Sequence, residues 1–170
     1  MLQCGRMASS LMPHFVPSVV LWLLNLNLGI AIGAGLYESR VTVPQWLKSD
    51  SGGNVRWVAE AAREADVGLR FWVFVTTVPL TLLILGSFAV MWWASTPVRS
   101  WWLIACAVAV VERVMTFGYF IPTMIRLMRV DGPSGREAAS IARRWASLAY
   151  IRHALTLMAW LAALKALSLL

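Results

Sequence analysis

Cysteine, histidine and acidic residues are all scarce in this chain, and each scarcity removes a class of chemistry. The two cysteines, Cys4 and Cys106, stand far apart and form no CxxC pair. A thiolate that exchanges disulfides needs a second thiol nearby to resolve it, so a membrane thiol oxidoreductase is excluded. Cys106 lies inside an apolar run and reads as a small core residue. The only histidines are His14 and His153, no CxxCH is present for haem attachment, and no Gly-rich phosphate loop supports nucleotide binding. No cofactor is expected. Eight acids against fifteen Lys and Arg leave a net charge of +7. The cations crowd the connections beside apolar segments, where positive-inside bias accounts for them and no nucleic-acid partner is needed.

Charge as a whole is also thin. Charged residues make up 14% of the 170 positions and hydrophobic ones 59%, against about 25% and 45–50% in soluble domains. The partner implied by that balance is the lipid bilayer. Four apolar runs, at residues 19–37, 71–93, 101–121 and 145–169, are each long enough to cross a hydrocarbon core of about 30 Å. The expected fold class is all-α: a four-helix transmembrane bundle, up-down-up-down, filling a single integral membrane domain over 1–170. The first run follows Arg6 as a signal peptide would, but its length and its polar Asn25 and Asn27 predict a retained anchor.

The connections set the topology. Residues 39–70 are too polar for lipid: Ser51-Gly52-Gly53-Asn54 predicts a turn, and Val55, Val58, Ala59, Ala62 and Ala65 predict a short amphipathic helix over 55–67. The third connection turns at Asp131-Gly132-Pro133-Ser134-Gly135, whereas the second is only a few residues long and is flanked by Trp92, Trp93, Trp101 and Trp102 as an interfacial aromatic belt. The first and third connections hold ten cations between them: Arg40, Lys48, Arg56, Arg63, Arg70, Arg126, Arg129, Arg136, Arg143 and Arg144. The opposite side has Arg6, Arg99 and Lys165. That asymmetry predicts a cell-membrane protein with both termini outside and the two longer connections in the cytoplasm.

Against this apolar background, adjacent Glu112 and Arg113 in the third run are conspicuous, since a charge at membrane depth costs about 2.5 kcal/mol or more and usually faces a bundle interior. Helical spacing places Asn27, Ala31, Ala34 and Glu38 on one stripe, Glu112, Thr116 and Tyr119 on another, and Trp145, Ala149, Arg152, Thr156 and Ala159 on a third. Gly29 and Gly33 form a small-xxx-small pair suited to helix contact. By depth, Glu38, Glu112 and Arg152 converge, with Glu112 to Arg152 the favoured ion pair and Glu38 and Tyr119 beside it. Such groups either cross-link helices or line a binding or catalytic pocket, and both readings stay open here. Glu38, Glu112 and His153 are possible metal ligands, but the Glu-x-x-His spacing of di-iron bundles is absent and Arg152 would oppose a cation. No metal is expected.

Tyr37-Glu38 with Val41, Pro44 and Trp46, then Glu112 with Thr116-Phe117, Tyr119-Phe120 and Pro122, then Trp145 with Ile151-Arg152, resemble the anthrone oxygenase-like family of small four-helix membrane proteins. The resemblance runs from the first helix to the last. It implies a cofactor-independent oxidation by O2 of an apolar polycyclic ring, in which a base removes an acidic benzylic proton and a cation stabilises the resulting anion. Carried onto this chain, Glu112 is the expected base, with Glu38 or His153 as second choice, and Arg152 the anion stabiliser. Trp46, Tyr119, Phe120, Asn27 and Trp145 are the expected substrate contacts. The alternative is a non-catalytic membrane protein that binds a lipid or apolar small molecule, or supports a partner protein. Oligomeric state is not legible.

Overall fold

The chain is described by a computed structural model over residues 2–49, 55–129 and 132–170, with backbone alone at 2–14 and 49. The turn expected over residues 51–54, Asp131, and the side chains of Cys4, Arg6 and His14 lie outside the described residues. Four helices are long and apolar enough to cross a membrane: α1 (Phe15–Trp46), α3 (Gly68–Trp93), α4 (Thr96–Met128) and α5 (Gly135–Leu167). Each overruns its apolar stretch, because helical hydrogen bonding continues through polar residues once the core-facing stripe persists. The first connection differs from its expectation. Of the helix expected over 55–67, the structure forms Ala59–Ala65 (α2), while Val55–Trp57 forms a strand, β2, antiparallel to Leu47–Ser49, β1, with Leu47 opposite Trp57. The ribbon seats Trp57 edge-on against Trp46, with ring centroids 6.1 Å apart, and the Trp57 indole donates to the Leu127 carbonyl at 3.0 Å.

Helix α5 is the central element, packed on both α4 and α1. Its buried face is built of Ala138, Ala142, Ala149, Ala159, Ala163 and Ala166, small enough to let neighbouring backbones approach closely. Close approach also explains Gly29, where an added Cβ would stand 3.2 Å from the Trp160 ring. Gly33, its expected partner in helix contact, has nothing within 4 Å of a hypothetical Cβ and makes no such contact. Trp102 likewise departs from the aromatic belt. It is 0% exposed and sits in the core, whereas Trp92, Trp93 and Trp101 are exposed, and Arg99 stacks over Trp92 at 5.5 Å.

Two apolar clusters hold the bundle together. One gathers Leu21, Leu24, Leu28, Leu80, Ile84, Trp102, Cys106 and Ala163, and the other Val43, Trp46, Trp57, Phe120, Leu127 and Trp145. Between the cluster members of each of α1, α4 and α5 lies a buried polar group: Glu38 on α1, Glu112 and Thr116 on α4, His153 and Thr156 on α5. On α3, Thr76 precedes Leu80. A polar layer is thus set between two apolar clusters, where burial strengthens its electrostatics.

Proline placement gives that layer its shape. Pro44, Pro79 and Pro122 each remove a backbone N–H and press on the carbonyl four residues earlier, at Arg40, Val75 and Gly118. Around those three carbonyls the helices widen to π-type turns, over Glu38–Thr42, Gly68–Thr77 and Thr116–Phe120. The carbonyl left by Pro79 is re-satisfied across the bundle, since Asn27 Nδ2 donates to Val75 O at 2.8 Å. Asn25 similarly donates to the carbonyls of Leu21 at 2.9 Å and Ala163 at 3.2 Å, tying α1 to α5.

Candidate functional site

The three widened turns border one cavity of about 290 Å³, lined among others by Glu38, Trp72, Glu112, Thr116, Phe120 and His153. Glu38 opens the π-type turn of α1. Its Oε1 accepts from the Trp72 indole N–H at 2.8 Å, and its Oε2 stands 3.6 Å from Nη2 of Arg152. The Arg152 guanidinium lies 4.5 Å over the Phe120 ring and 5.7 Å from that of Trp72, so two aromatic faces share its charge. Phe120 is itself fixed by edge contacts with Tyr119 at 5.4 Å and Trp145 at 5.7 Å, and its carbonyl accepts from the Trp145 indole at 3.2 Å.

The expected Glu112 to Arg152 ion pair does not form. Glu112 Oε2 instead accepts from Nε of its own neighbour Arg113 at 2.6 Å, and its Oε1 accepts from the Thr116 hydroxyl one turn on at 2.8 Å. Adjacent helical residues normally diverge by about 100°. Here the Arg113 side chain is almost buried and lines the cavity, so it bends back to the adjacent buried carboxylate. The cavity therefore holds two ion pairs side by side, Glu38 with Arg152 and Glu112 with Arg113, and both acids share the lining with both bases.

His153 contrasts with these satisfied acids. It is 5% exposed and lines the cavity, yet neither Nδ1 nor Nε2 has a hydrogen-bond partner among the described residues. Nη1 of Arg113 is buried and unpartnered in the same way. The imidazole rests against the α1 backbone at Gly35, where an added Cβ would stand 2.6 Å from Nε2, and against the Tyr150 ring at 6.2 Å. Any side chain at position 35 would push the imidazole out of its place.

Of the residues expected at a site, Glu38, Trp46, Glu112, Phe120, Trp145, Arg152 and His153 line the cavity. Asn27 and Tyr119 do not: the first braces the Val75 carbonyl and the second buttresses Phe120. Trp72 and Arg113 join the lining without having been singled out for it. Leu69 and Ile125 line the cavity while being 63% and 50% exposed, so both also border the outer surface. Asp66, outside the spans, also contributes to the wall. Among the described residues no three of His, Cys, Asp and Glu gather closely enough to hold a metal ion. Compared with known proteins, the chain matches no family model, no curated protein and no solved structure.

Proposed function

We propose that this integral membrane protein takes an apolar ring compound from the bilayer into the Glu38 and Glu112 cavity and oxidises it with O2 at an activated C–H. The observation that carries the proposal is the unpartnered His153 in a cavity walled by Trp46, Trp72, Phe120 and Trp145. A volume of about 290 Å³ suits a ligand of a few fused rings, near the small end of ordinary ligand sites. The aromatic walls favour a flat one. Glu112 accepts two hydrogen bonds and Glu38 is engaged by Trp72 and Arg152, which leaves the imidazole as the base with no competing hydrogen bond.

The chemistry balances without a further reactant. His153 removes a benzylic proton from an anthrone-like ring, leaving a delocalised carbanion beside an imidazolium, so the cavity's net charge does not change. The anion passes an electron to O2 and the radical pair combines into a peroxide at that carbon. The imidazolium returns a proton to give the hydroperoxide, which loses water to become the carbonyl. The sum is anthrone plus O2 giving anthraquinone plus water. The buried guanidinium of Arg113, with its free Nη1, supports the negative oxygen of the carbanion's enolate form.

The expected result is anthraquinone formation by purified protein under air at a rate well above that of empty micelles, with one O2 consumed per product. Equal rates would reject catalysis and leave a binding protein. We place the termini outside and both longer connections in the cytoplasm, on the strength of the ten-to-three cation asymmetry. Ser134→Cys in a chain lacking its two native cysteines should then be labelled by an impermeant maleimide only after the cells are opened. Labelling in intact cells reverses the orientation.

A further inference from the structure

We infer that a second cavity, of about 300 Å³ where α4 ends and α5 begins, holds the phosphate of an anionic lipid headgroup. It shares no lining residue with the cavity of the proposed oxidation, so it stands or falls apart from that reaction. Three arginines from three different elements border it: Arg56 from β2, Arg63 from α2, and Arg129 from the residue that follows α4. Positive-inside bias accounts for the number of cations in the connections, but not for three of them lining one recess. All three are exposed, and none forms an ion pair among the described residues. Arg63 Nη1 donates to the Met128 carbonyl at 3.0 Å, which holds that guanidinium at the end of α4, next to Arg129.

The charge balance selects an anion. Glu60 is the one acid among the lining residues, so three cations face one carboxylate, a net of +2. Asp131 is close to them in sequence, and counted in full against them it still leaves three cations to two acids. Ser134 and Gly135 add the start of α5, whose first amides receive no cap from the Ser134 side chain and carry partial positive charge. Glu137, in that first turn, is engaged by Arg126 at 3.1 Å and does not line the cavity. Guanidinium forks match phosphate oxygens two at a time. Position then selects the source of the phosphate. The cavity lies between the Met128 end of one span and the Gly135 start of the next, at the headgroup level, and basic recesses between transmembrane helices hold phosphate-bearing headgroups.

The probe is radiolabelled phosphatidylglycerol, incubated with purified protein in neutral detergent at about 0.15 M salt and counted after rapid gel filtration. Saturable binding is expected. Unlabelled phosphatidylglycerol should displace the label, and phosphatidylcholine, whose choline cation faces the same arginines, at least ~10-fold less well, about the worth of one charge-assisted hydrogen bond. Inorganic phosphate at the same concentrations should displace none. Arg56→Gln combined with Arg129→Gln should weaken binding at least ~10-fold. Arg143→Gln combined with Arg144→Gln removes the same charge from exposed positions on α5 that do not line the cavity. These lie about 12 Å along the helix from Gly135, beyond the Debye length of ~8 Å, so binding should stay within ~2-fold of wild type. Equal losses in the two double variants would show a diffuse charge effect and overturn the inference. Phosphatidylcholine competing as well as phosphatidylglycerol, or no saturable binding, would overturn it on wild-type protein alone. Displacement by inorganic phosphate as effective as by the lipid would assign the site to a soluble phosphate and overturn the lipid assignment.

Discussion

Replacing Arg152 with methionine should destabilise the protein by about 3–5 kcal/mol, because it leaves the Glu38 carboxylate buried with no cation. Trp72 still donates to one carboxylate oxygen, but a neutral indole does not neutralise the charge. The guanidinium also covers the Phe120 face, and methionine replaces much of that contact. Glu38→Met should cost a similar amount for the opposite reason, stranding Arg152. The double replacement should cost less than either single change, since a well-packed apolar pair avoids the desolvation that the ions carry. A double-mutant cycle on unfolding in detergent reads this directly. The exposed Arg126 to Glu137 pair, at 3.1 Å, is the internal control and should contribute no more than about 1 kcal/mol. Additive costs at positions 38 and 152 would show that the two side chains act independently.

The pairing of Glu38 with Arg152 illustrates what sequence patterning reveals and where it stops. Helical periodicity identifies most of the buried stripes: Asn27, Ala31 and Glu38 face inward on α1, Glu112 and Thr116 on α4, and Trp145, Ala149, Thr156 and Ala159 on α5, while Ala34, Tyr119 and Arg152 of the same stripes are half-buried. Cys106 is likewise a buried, free core residue. Depth along each helix brings the polar groups to one layer. It does not determine which acid meets which base, because that depends on the rotation of each helix about its axis and on rotamers. A π-type turn changes the rotation locally, and three of them occur in this layer. The prolines that cause them, Pro44, Pro79 and Pro122, are visible in the sequence, and their positions next to Glu38, Trp72 to Thr76 and Thr116 to Phe120 are the signal that would have pointed to the cavity. Trp72, at the start of the second apolar run, looks like an interfacial anchor until its indole is seen to reach Glu38. The ribbon at Leu47–Ser49 and Val55–Trp57 was hidden for a different reason. Three residues are too few to show a period of two, and the helical spacing that begins at Val55 belongs in truth to Ala59–Ala65.

If turnover occurs, His153→Phe should lower the rate of anthrone oxidation by at least ~100-fold, the usual contribution of a positioned general base. Phenylalanine keeps an aromatic ring between Gly35 and Tyr150 and removes both nitrogens, but it is the larger ring, so an unchanged unfolding midpoint in detergent is the check that the loss reports chemistry and not packing. Glu112→Gln should lose less. The Glu112 carboxylate already accepts from Arg113 Nε and the Thr116 hydroxyl, and a proton taken there would weaken both bonds. Its amide replacement instead frees Arg113 from its ion pair, which places an uncompensated cation beside the developing enolate. Single-turnover rates at saturating anthrone are the measurement, because saturation removes differences in substrate binding. Replacing solvent protons and benzylic hydrogen by deuterium separately locates the proton transfer: a benzylic isotope effect in wild type that persists in Glu112→Gln assigns the base to another group. A larger loss in Glu112→Gln than in His153→Phe would return the base role to Glu112 and leave the imidazole as a hydrogen-bonding contact.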